Sequence, residues 1–338
     1  LVRHDAITSF GEIIMAIASN TSLTYSSVAI REDLSDVIYN ISPMDTPFMS
    51  GCGKEKADNT YFQWQTDSIG AGSANRVIEG DNDPASVARS LPTKVGNYTQ
   101  ISRYVVQTSG TDDSVDYAGH GKHQAYRLAK RGKQMKRDME FMFTQNIAQV
   151  AGSATLARAT AGIPAWLLTN YVSMGGSGSP AGPVGGDGTA AATDAGSVVS
   201  ITEAGMKSVI KSCYENGGNP DTVLCKPDIK QAISGLSSLG VTTLNTDLNS
   251  PKPGFAVGAV DVYVSDFGNF KIIPDRNLNR SRDVFFLDMD FWAIAWLRDF
   301  HTIDLAKTGD STKQMLIGEF GLVSKNEAAS GILSNCDV

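Results

Sequence analysis

The chain of 338 residues is 41% hydrophobic and 19% charged, and its formal net charge is −7. This length and composition are typical of one or two folded domains and exclude a disordered or fibrous protein. Because tight nucleic-acid binding needs clustered Lys and Arg, the acidic balance argues against a protein whose main task is to grip DNA or RNA. It leaves open a surface that merely faces nucleic acid.

The cysteines and the apolar runs indicate in which cellular compartment the protein is found. The chain contains four widely spaced cysteines, which are Cys52, Cys213, Cys225 and Cys336. Sparse thiols without a CxxC pair are typical of a reducing compartment, and whether Cys213 meets Cys225 is left open. The apolar runs at 13–18 and 291–297 are too short to span a bilayer, and neither resembles a signal peptide. We therefore expect no membrane partner.

The first segment with a clear pattern is an apolar one between prolines. Residues 31–41 carry apolar positions at helical spacing, which predicts a short amphipathic helix. Pro43 should end that helix, since the residue before proline avoids the α region. Pro47 is expected to keep the following chain extended. Met44, Phe48 and Met49 then form an apolar segment that something else must cover.

The next pattern predicts a two-stranded ribbon. Residues 60–66 alternate, with Phe62 and Trp64 on one face of a strand. A return strand is expected at 99–108. The connection at 70–92 is rich in turn residues and too long for a tight hairpin. An isolated two-stranded ribbon is marginally stable, so this one needs a partner.

The strongest helix signal covers residues 112–150, where apolar residues recur at steps of three and four. Three glycines, at 119, 121 and 132, each cost about 1 kcal/mol relative to alanine, so the first third should be kinked or unwound. One face of this helix is basic and carries Lys122, Arg127, Lys130, Lys133 and Arg137. By itself, a basic stripe favours a solvated helix face over a nucleic-acid contact.

The second half of the chain predicts a mixed α/β unit. Residues 174–197 are of low complexity and read as a surface loop. From 198 to 300, short strands alternate with helices, the first of which is capped by Thr202. The last segment predicts two strand-like halves on either side of "KTGDS", where Gly309 can adopt a positive φ.

Candidate catalytic and metal-binding groups are incomplete. Asp116, His120 and His123 could face one side of a helix, but no second cluster completes a metal site. Asp288 and Asp290 alternate on one predicted strand, where paired carboxylates could do acid–base or metal chemistry. No phosphate-binding glycine motif and no nucleophile elbow is present in the sequence. We therefore expect no catalytic residue, metal or cofactor, with a carboxylate-dependent hydrolase as a remote alternative.

Two segments carry a resemblance to a known family. "EDLSDVIYNISPMDTPFMSGCGKEKADNTYFQWQTDSI" resembles the amino-terminal signature of the SU10-like major capsid family of tailed bacteriophages. "FFLDMDFWAIAWLRDFHTIDLAKTGDSTKQMLIGEFGLVSKNEAA" resembles its carboxy-terminal signature, centred on "LAKTGDS". Together the two segments cover about a quarter of the chain. The resemblance implies an α+β Hong Kong 97-like capsid fold and a structural subunit without enzymatic turnover.

The same resemblance implies a domain plan. Residues 1–56 would be an amino-terminal arm, and residues 57–110 an extended β-ribbon loop that lies over a neighbouring subunit. A peripheral domain with a long spine helix would comprise residues 111–197 and 301–338. Residues 198–300 would form an axial domain. The apolar segment around Phe48 would then be covered by the spine helix of its own subunit or by a neighbour.

The implied partners are further copies of the chain. Pentamers and hexamers would build an icosahedral phage head around double-stranded DNA, with portal, scaffolding and decoration proteins as further partners. The head would be assembled in the bacterial cytoplasm, and an encapsulin-like compartment is the alternative. The candidate contacts between subunits are Met44, Phe48, Met49, Arg76, Glu79, Arg89 and Lys94. The basic face would meet packaged DNA weakly and without sequence preference.

Some relatives form a Lys–Asn crosslink between subunits with the help of a Glu. Lys94, Asn326 and Glu327 could supply these residue types. The presence of these residue types does not show that their side chains meet, so we do not expect the crosslink in this chain.

Overall fold

The computed structural model describes residues 45–67, 91–117, 121–175, 180–236 and 261–337, together with positions 72, 74, 76, 79, 80 and 119. The helices are α1 Pro47–Gly51, α2 Gly110–Ser114, α3 His123–Phe143, α4 Glu203–Glu215 and α5 Pro227–Ser234. The strands of the first half are β1 Gly53–Lys56, β2 Tyr61–Thr66, β3 Thr93–Tyr98, β4 Gln100–Ser109, β5 Tyr171–Ser173 and β6 Val199–Ser200. Those of the second half are β7 Thr222–Cys225, β8 Val262–Ser265, β9 Gly268–Pro274, β10 Val284–Leu287, β11 Trp292–Asp304, β12 Ser311–Ser324, β13 Gly331–Ser334 and β14 Cys336–Asp337. The predicted helix at 31–41 lies outside the described residues.

A four-stranded sheet with the order β1-β11-β12-β4 carries helix α3 on one face. Strands β11 and β12 form the predicted hairpin around the "KTGDS" turn, where Gly309 has a φ of 147°. Strand β4 pairs with β12 along its whole length, from Gln100 opposite Phe320 to Ser109 opposite Ser311. The prediction that residues 99–108 return along the ribbon is therefore wrong, because this strand finds its partner near the end of the chain.

The ribbon itself consists of β2 and β3. Their register runs from Tyr61 opposite Tyr98 to Thr66 opposite Thr93. The predicted strand at 60–66 is thus confirmed, and its true return strand comes directly before β4. Thr99 connects β3 to β4, and its backbone N–H donates to the carbonyl of Thr60 at 2.8 Å. The ribbon is consequently continuous with the four-stranded sheet.

A six-stranded sheet with the order β5-β13-β10-β7-β9-β8 forms the second layer. Helices α4 and α5 cover it and share with it a core that includes Val209, Ile229 and Phe286. The predicted cap of α4 is confirmed, since the Thr202 hydroxyl accepts the N–H of Gly205 at 3.2 Å. Strands β5 and β13 enter this sheet from outside residues 198–300.

All four cysteines are buried free thiols. Cys213 and Cys225 lie in the same apolar core beside α4 and β7. Burial raises the pKa of both thiols to about 12, so they remain protonated near neutral pH. They act as small apolar side chains in this core.

The long helix is shorter than its sequence pattern. The predicted interruption near its start is confirmed, because α2 and α3 are separate and Gly119 between them has a φ of 85°. The predicted continuation to Val150 is wrong, since α3 ends at Phe143. Val150 instead exchanges two backbone hydrogen bonds with Ala159, at 2.9 and 3.1 Å. A β-bridge to a residue nine positions later thus takes the place of the helix that the apolar period predicts.

Two further local predictions are corrected. Residues 47–51 form helix α1 and are not extended, because Pro47 occupies the first turn, where proline fits a helix. Asp288 and Asp290 do not share a strand, because the 3-10 turn Met289–Phe291 separates β10 from β11. The Asp288 carboxylate caps this turn by accepting the N–H of Asp290 at 3.3 Å.

Gly132 offers a test of the helix interior. A Cβ at this position would meet only Leu316 Cδ2, at an ordinary contact distance of 3.8 Å. We expect Gly132→Ala to raise the free energy of unfolding by about 0.5–1 kcal/mol, since alanine restricts the unfolded chain and favours helix. Urea unfolding of the unassembled subunit measures this. A loss of stability would show that this part of α3 needs glycine for a reason other than helix propensity.

Candidate functional site: the arm anchor, the ribbon base and the basic face

We call helix α1 and the side chains that hold it the arm anchor. Phe48 is fully buried, with its ring 6.0 Å from that of Phe143 on α3 and 6.0 Å from that of Trp292 on β11, both edge-on. Edge-to-face aromatic pairs add stabilisation beyond the buried area. Phe48 was a candidate for contact between subunits, but its own chain encloses it and leaves no surface for a second copy. Met49 is half-buried at the edge of the same core.

Glu140 is the polar half of the arm anchor. Its fully buried carboxylate on α3 accepts the N–H of Phe48 at 2.7 Å and the N–H of Met49 at 2.9 Å. These are N–H groups of the first turn of α1, which have no partner inside the helix. Burial raises the pKa of Glu140 to about 7, and the charge of Asp275 adds to this effect. The sequence analysis missed this residue, although an acid among Met139 and Phe143 was a signal of a buried partner.

The raised pKa of Glu140 predicts a pH-dependent stability. Because the folded state holds this proton more tightly than the unfolded chain, the stabilisation is complete below the ordinary value of 4.5 and is lost as the pH rises through 7. At one pKa unit per ~1.4 kcal/mol, the difference amounts to about 3 kcal/mol. We expect Glu140→Gln to remove this decline between pH 5 and pH 8 in urea unfolding. The exposed Glu215→Gln variant serves as control, and a Glu140→Gln profile parallel to that of the unmodified protein would contradict the prediction.

We call the start of the ribbon, where it lies on its own subunit, the ribbon base. The indole N–H of Trp64 donates to the carbonyl of Ser324 at 2.8 Å, and its ring lies 5.4 Å from that of Trp166. Phe62 fills the space above Gly321, where a Cβ would come within 2.5 Å of the Phe62 ring. The partner that the ribbon needs is therefore, at its base, the chain's own four-stranded sheet.

Asn97 fixes the return strand of the ribbon. Its buried amide donates to the Thr160 hydroxyl at 2.9 Å and to the Leu322 carbonyl at 2.7 Å. Its oxygen accepts the N–H groups of Tyr98 and Ala161, at 2.9 and 3.1 Å. Because each partner is a buried polar group, this one side chain satisfies several hydrogen-bonding needs at once.

A buried carboxylate joins the ribbon base to the hairpin. Glu319 on β12 is 3% exposed and accepts from Arg158 at 2.5 Å, from Arg298 at 2.9 Å and from the Thr99 hydroxyl at 2.8 Å. Arg158 belongs to the segment after α3, Arg298 to a bulge of β11, and Thr99 to the junction of β3 and β4. The carboxylate thus binds three distant segments together at the point where the ribbon leaves the sheet.

Three of the five cations predicted for the basic face of α3 donate hydrogen bonds within the subunit. Arg127 donates to the Gln107 carbonyl at 2.7 Å, and Lys122, directly before the helix, donates to the Asp113 carbonyl at 3.1 Å. Arg137 donates to the Asn277 side chain at 3.3 Å. Lys130 and Lys133 are exposed, and neither forms an ion pair within the described part of the chain. All five residues keep their positive charge, because these three hydrogen bonds go to neutral oxygens, and Lys130 and Lys133 are the two whose ammonium groups have no hydrogen bond among the described residues.

Of the other predicted contact residues, Lys94 lies on the ribbon, opposite Gln65. Arg76, Glu79 and Lys94 are exposed. Met44 and Arg89 lie outside the described residues. All five remain predicted contacts between subunits.

The residues considered for a crosslink have other contacts in the subunit. The Asn326 side chain accepts the N–H of Ala328 at 3.1 Å. Glu327 accepts the backbone N–H groups of Leu168 and Thr169, at 3.1 and 3.0 Å.

The next features are the candidate metal ligands and the helices that could cross a membrane. His123 stacks on Tyr117 with 4.7 Å between ring centroids, and His120 lies outside the described residues. Among the residues that the structure describes, no group of three His, Cys, Asp or Glu side chains could hold a metal ion. None of the helices in those ranges is long and apolar enough to cross a membrane.

Comparison with known proteins decides the family. The family model described as the SU10 major capsid protein matches residues 17–337. The chain belongs to this SU10 major capsid protein family. The resemblance seen in the two sequence signatures is thereby confirmed over almost the whole chain, and the protein is a major capsid protein of a phage head and a component of the virion. It is related to the major capsid protein of Escherichia phage Phieco32, with 29% identity over 324 residues that cover 87% of this chain and 90% of that protein.

Solved structures agree with the capsid fold. The capsid protein of an empty GTA particle has a TM-score of 0.59 at 12% identity and covers 95% of this chain and 100% of its own. A chain from Mycobacterium phage Adephagia has a TM-score of 0.54 at 12% identity, with coverage of 95% and 99%. An encapsulin from Synechococcus elongatus has a TM-score of 0.54 at 9% identity, with coverage of 92% and 97%. The SU10-family chain therefore has the Hong Kong 97-like capsid fold, with mixed helices and strands.

Proposed function

We propose that this capsid protein assembles into pentamers and hexamers of an icosahedral head that encloses double-stranded DNA. The observation that carries the proposal is an apolar row on the face of the four-stranded sheet that points away from α3. Val105, Met315 and Ile303 are direct cross-strand neighbours in this row. Val105 is 50% and Ile303 37% exposed, and Ile101 nearby is 45% exposed. A second copy of the chain covering this row would bury apolar surface, worth about 25 cal/mol per Å².

We further propose the domain plan implied by the family. Residues 1–56 act as the arm, 57–110 as the extended loop, 111–197 and 301–338 as the peripheral domain with its spine helix, and 198–300 as the axial domain. The arm anchor and the ribbon base support this plan, because each holds the root of a predicted projection firmly on the subunit. Arg76, Glu79, Arg89 and Lys94 would contact the neighbouring subunit along the loop. Met44 and Met49 would do so beside the arm anchor.

The proposed partners beyond the shell are portal, scaffolding and decoration proteins, met in the bacterial cytoplasm during assembly. The proposed contact with packaged DNA is weak and independent of sequence. It is supported by Lys130 and Lys133, which are exposed in a chain that is otherwise acidic. Binding by few cations is weak, because affinity rises with the number of phosphates neutralised, and weak binding suits a container that must release its contents.

We propose that the protein has no catalytic turnover. Asp288 and Asp290, the candidate pair for a hydrolase, are explained by the cap of the 3-10 turn that links β10 to β11. A second candidate function is an encapsulin-like compartment, supported by the likeness in fold to the cyanobacterial encapsulin. The contents of purified particles discriminate between the two, since a phage head holds DNA and such a compartment would hold protein.

Electron microscopy of the purified full chain tests the proposal. We expect closed shells or capsomers, and we expect Val105→Asp to abolish them while the subunit keeps its circular dichroism spectrum. Val184→Asp, at an exposed loop position, is the matched control and should still assemble. Removal of residues 1–30 or 70–92 should likewise impair assembly more than folding. Small soluble oligomers under all conditions and with all partners would overturn the proposal.

A further inference from the structure

A cleft with a marked positive charge lies where the basic face of α3 meets the second layer of the fold. Its volume is about 350 Å³. Three cations from different elements line it: Arg137 of α3, Lys226 directly before α5, and Arg276 of the segment after β9. The contribution of three separate elements makes this a feature of the tertiary structure and not of one helix.

Within the described part of the chain the cations of this cleft lack an ion-pair partner, and the charge of Lys226 acts on Asp275 from beyond ion-pair distance, partly offsetting the rise that burial causes in the pKa of that carboxyl. Arg280, Arg298 and Arg158 are each held by a buried carboxylate, and several exposed lysines have acidic neighbours. Among the residues that the structure describes, Arg137, Lys226 and Arg276 form no ion pair. Neutral oxygens orient two of them, since Arg137 donates to Asn277 and Lys226 donates to the Arg276 carbonyl at 3.3 Å.

The one acid in the lining is already engaged. The Asp138 carboxylate accepts the hydroxyl of Tyr104 on β4, and the guanidinium of Arg131 lies 5.2 Å above the Tyr104 ring. Asp138 therefore has its hydrogen bond on the side of the four-stranded sheet. The carboxylate of Asp275, which is buried behind the cleft, accepts the N–H of Asn277 at 2.7 Å. The cleft keeps a positive excess at its mouth.

The cleft also continues the exposed row of lysines. Lys130, Lys133 and Arg137 follow one another on the same side of α3, and with a rise of 1.5 Å per residue they extend over about 10 Å. Duplex DNA carries one phosphate charge per ~1.7 Å of its axis, so a row of this length meets several phosphates. A single small anion would use the cleft alone, whereas a polyanion uses the cleft and the row together.

We infer that the cleft of Arg137, Lys226 and Arg276 is a phosphate-binding site that seats one backbone phosphate of packaged DNA at the end of the lysine row. Guanidinium and ammonium groups are the usual phosphate ligands, and Arg137 and Arg276 can each offer more than one N–H. Because phosphate groups are the same at every base pair, a contact of this kind carries no sequence preference. This inference rests on the proposed proximity to DNA and gives it a location.

Binding of labelled 20-base-pair duplexes to the unassembled full-length subunit tests the inference. Lys226→Gln with Arg276→Gln removes two cleft cations, and Lys307→Gln with Lys313→Gln removes the same charge from the β11–β12 turn as matched control. We expect the cleft variant to bind about tenfold more weakly at 100 mM salt. The magnitude of its slope of log affinity against log salt should fall by about 0.9, because the variant loses the one phosphate contact of the cleft. Two duplexes of unrelated sequence should behave alike.

Three results would overturn the inference. One is a cleft variant that binds as the unmodified protein does, or no more weakly than the control variant. The second is saturation of the cleft by millimolar inorganic phosphate without any effect of the variant on the duplex, which would make it a site for a free anion. The third is poly-glutamate binding at the cleft more tightly than the duplex, which would assign it to an acidic protein segment. If the first result is found while Lys130→Gln with Lys133→Gln does weaken binding, the proposed DNA-facing surface stands and only the cleft is refuted.

Discussion

Replacing Phe48 with alanine should destabilise the subunit by about 3–5 kcal/mol, the usual cost of deleting a fully buried phenylalanine. The ring packs against Phe143 and Trp292, and the backbone N–H of the same residue donates to the carboxylate that holds α1. Its loss would leave a cavity at the junction of the arm, the long helix and the hairpin. Unfolding of the unassembled subunit in guanidinium chloride, followed by tryptophan fluorescence, measures the change.

Phe141→Ala is the matched control for Phe48, because it lies on the same α3 and is 47% exposed. Truncation of a half-exposed side chain should cost less than about 1.5 kcal/mol. Equal losses in the two variants would mean that Phe48 is not the centre of the arm anchor. An assembly defect in Phe48→Ala without any loss of subunit stability would show instead that Phe48 acts between subunits.

Glu319→Gln should destabilise the subunit by about 3–5 kcal/mol, because removing one member of a buried ionic group leaves the others uncompensated. Arg158 and Arg298 both lose their anion, and glutamine offers one oxygen where three donors now converge. The segment after α3, the bulge of β11 and the root of the ribbon would separate together. We therefore expect faster proteolysis near the ribbon base as well as a lower midpoint of unfolding.

The control for Glu319 is Glu215→Gln, whose carboxylate lies 3.5 Å from the Lys211 ammonium with both side chains exposed. Such exposed helix pairs contribute about 0–1 kcal/mol. If Glu319→Gln were as mild as this control, the arginines would have to find other partners, and the network would not organise the ribbon base. Glu319→Gln combined with Arg298→Gln would then separate the contributions of the two arginines.

The errors of the sequence analysis have a common origin. Residues 99–108 alternate as a strand must, but their partner, β12, begins about 200 residues later, and local pattern carries no information on pairing over that distance. The apolar period that continues to Val150 is compatible with a helix, yet two backbone hydrogen bonds to Ala159 end it. Asp288 and Asp290 alternate, but a capped turn interrupts the strand between them. In the first case a distant strand decided between two locally acceptable conformations, whereas in the other two a contact within two to nine residues did so.

The partners of the buried charges could be located only in the folded chain. Glu140 and Glu319 each stand among apolar residues, which indicates burial but does not identify their partners. Their partners lie far away along the chain: 92 residues separate Phe48 from Glu140, and 161 residues separate Arg158 from Glu319. The cationic cleft likewise could not be located from the sequence. Its cations, Arg137, Lys226 and Arg276, are far apart along the chain and come together from three elements of the fold.

The sequence by itself determined the elements and the family. Local signals are strong where side-chain periodicity, caps and turns act within a few residues, as in the strand at 60–66, the helix capped by Thr202 and the turn at Gly309. The tertiary structure alone decided which strand pairs with which, that Phe48 belongs inside its own subunit, and where the buried carboxylates find their donors. The physical reason is that hydrogen bonding and apolar burial are satisfied between surfaces, and surfaces exist only once distant segments have been brought together.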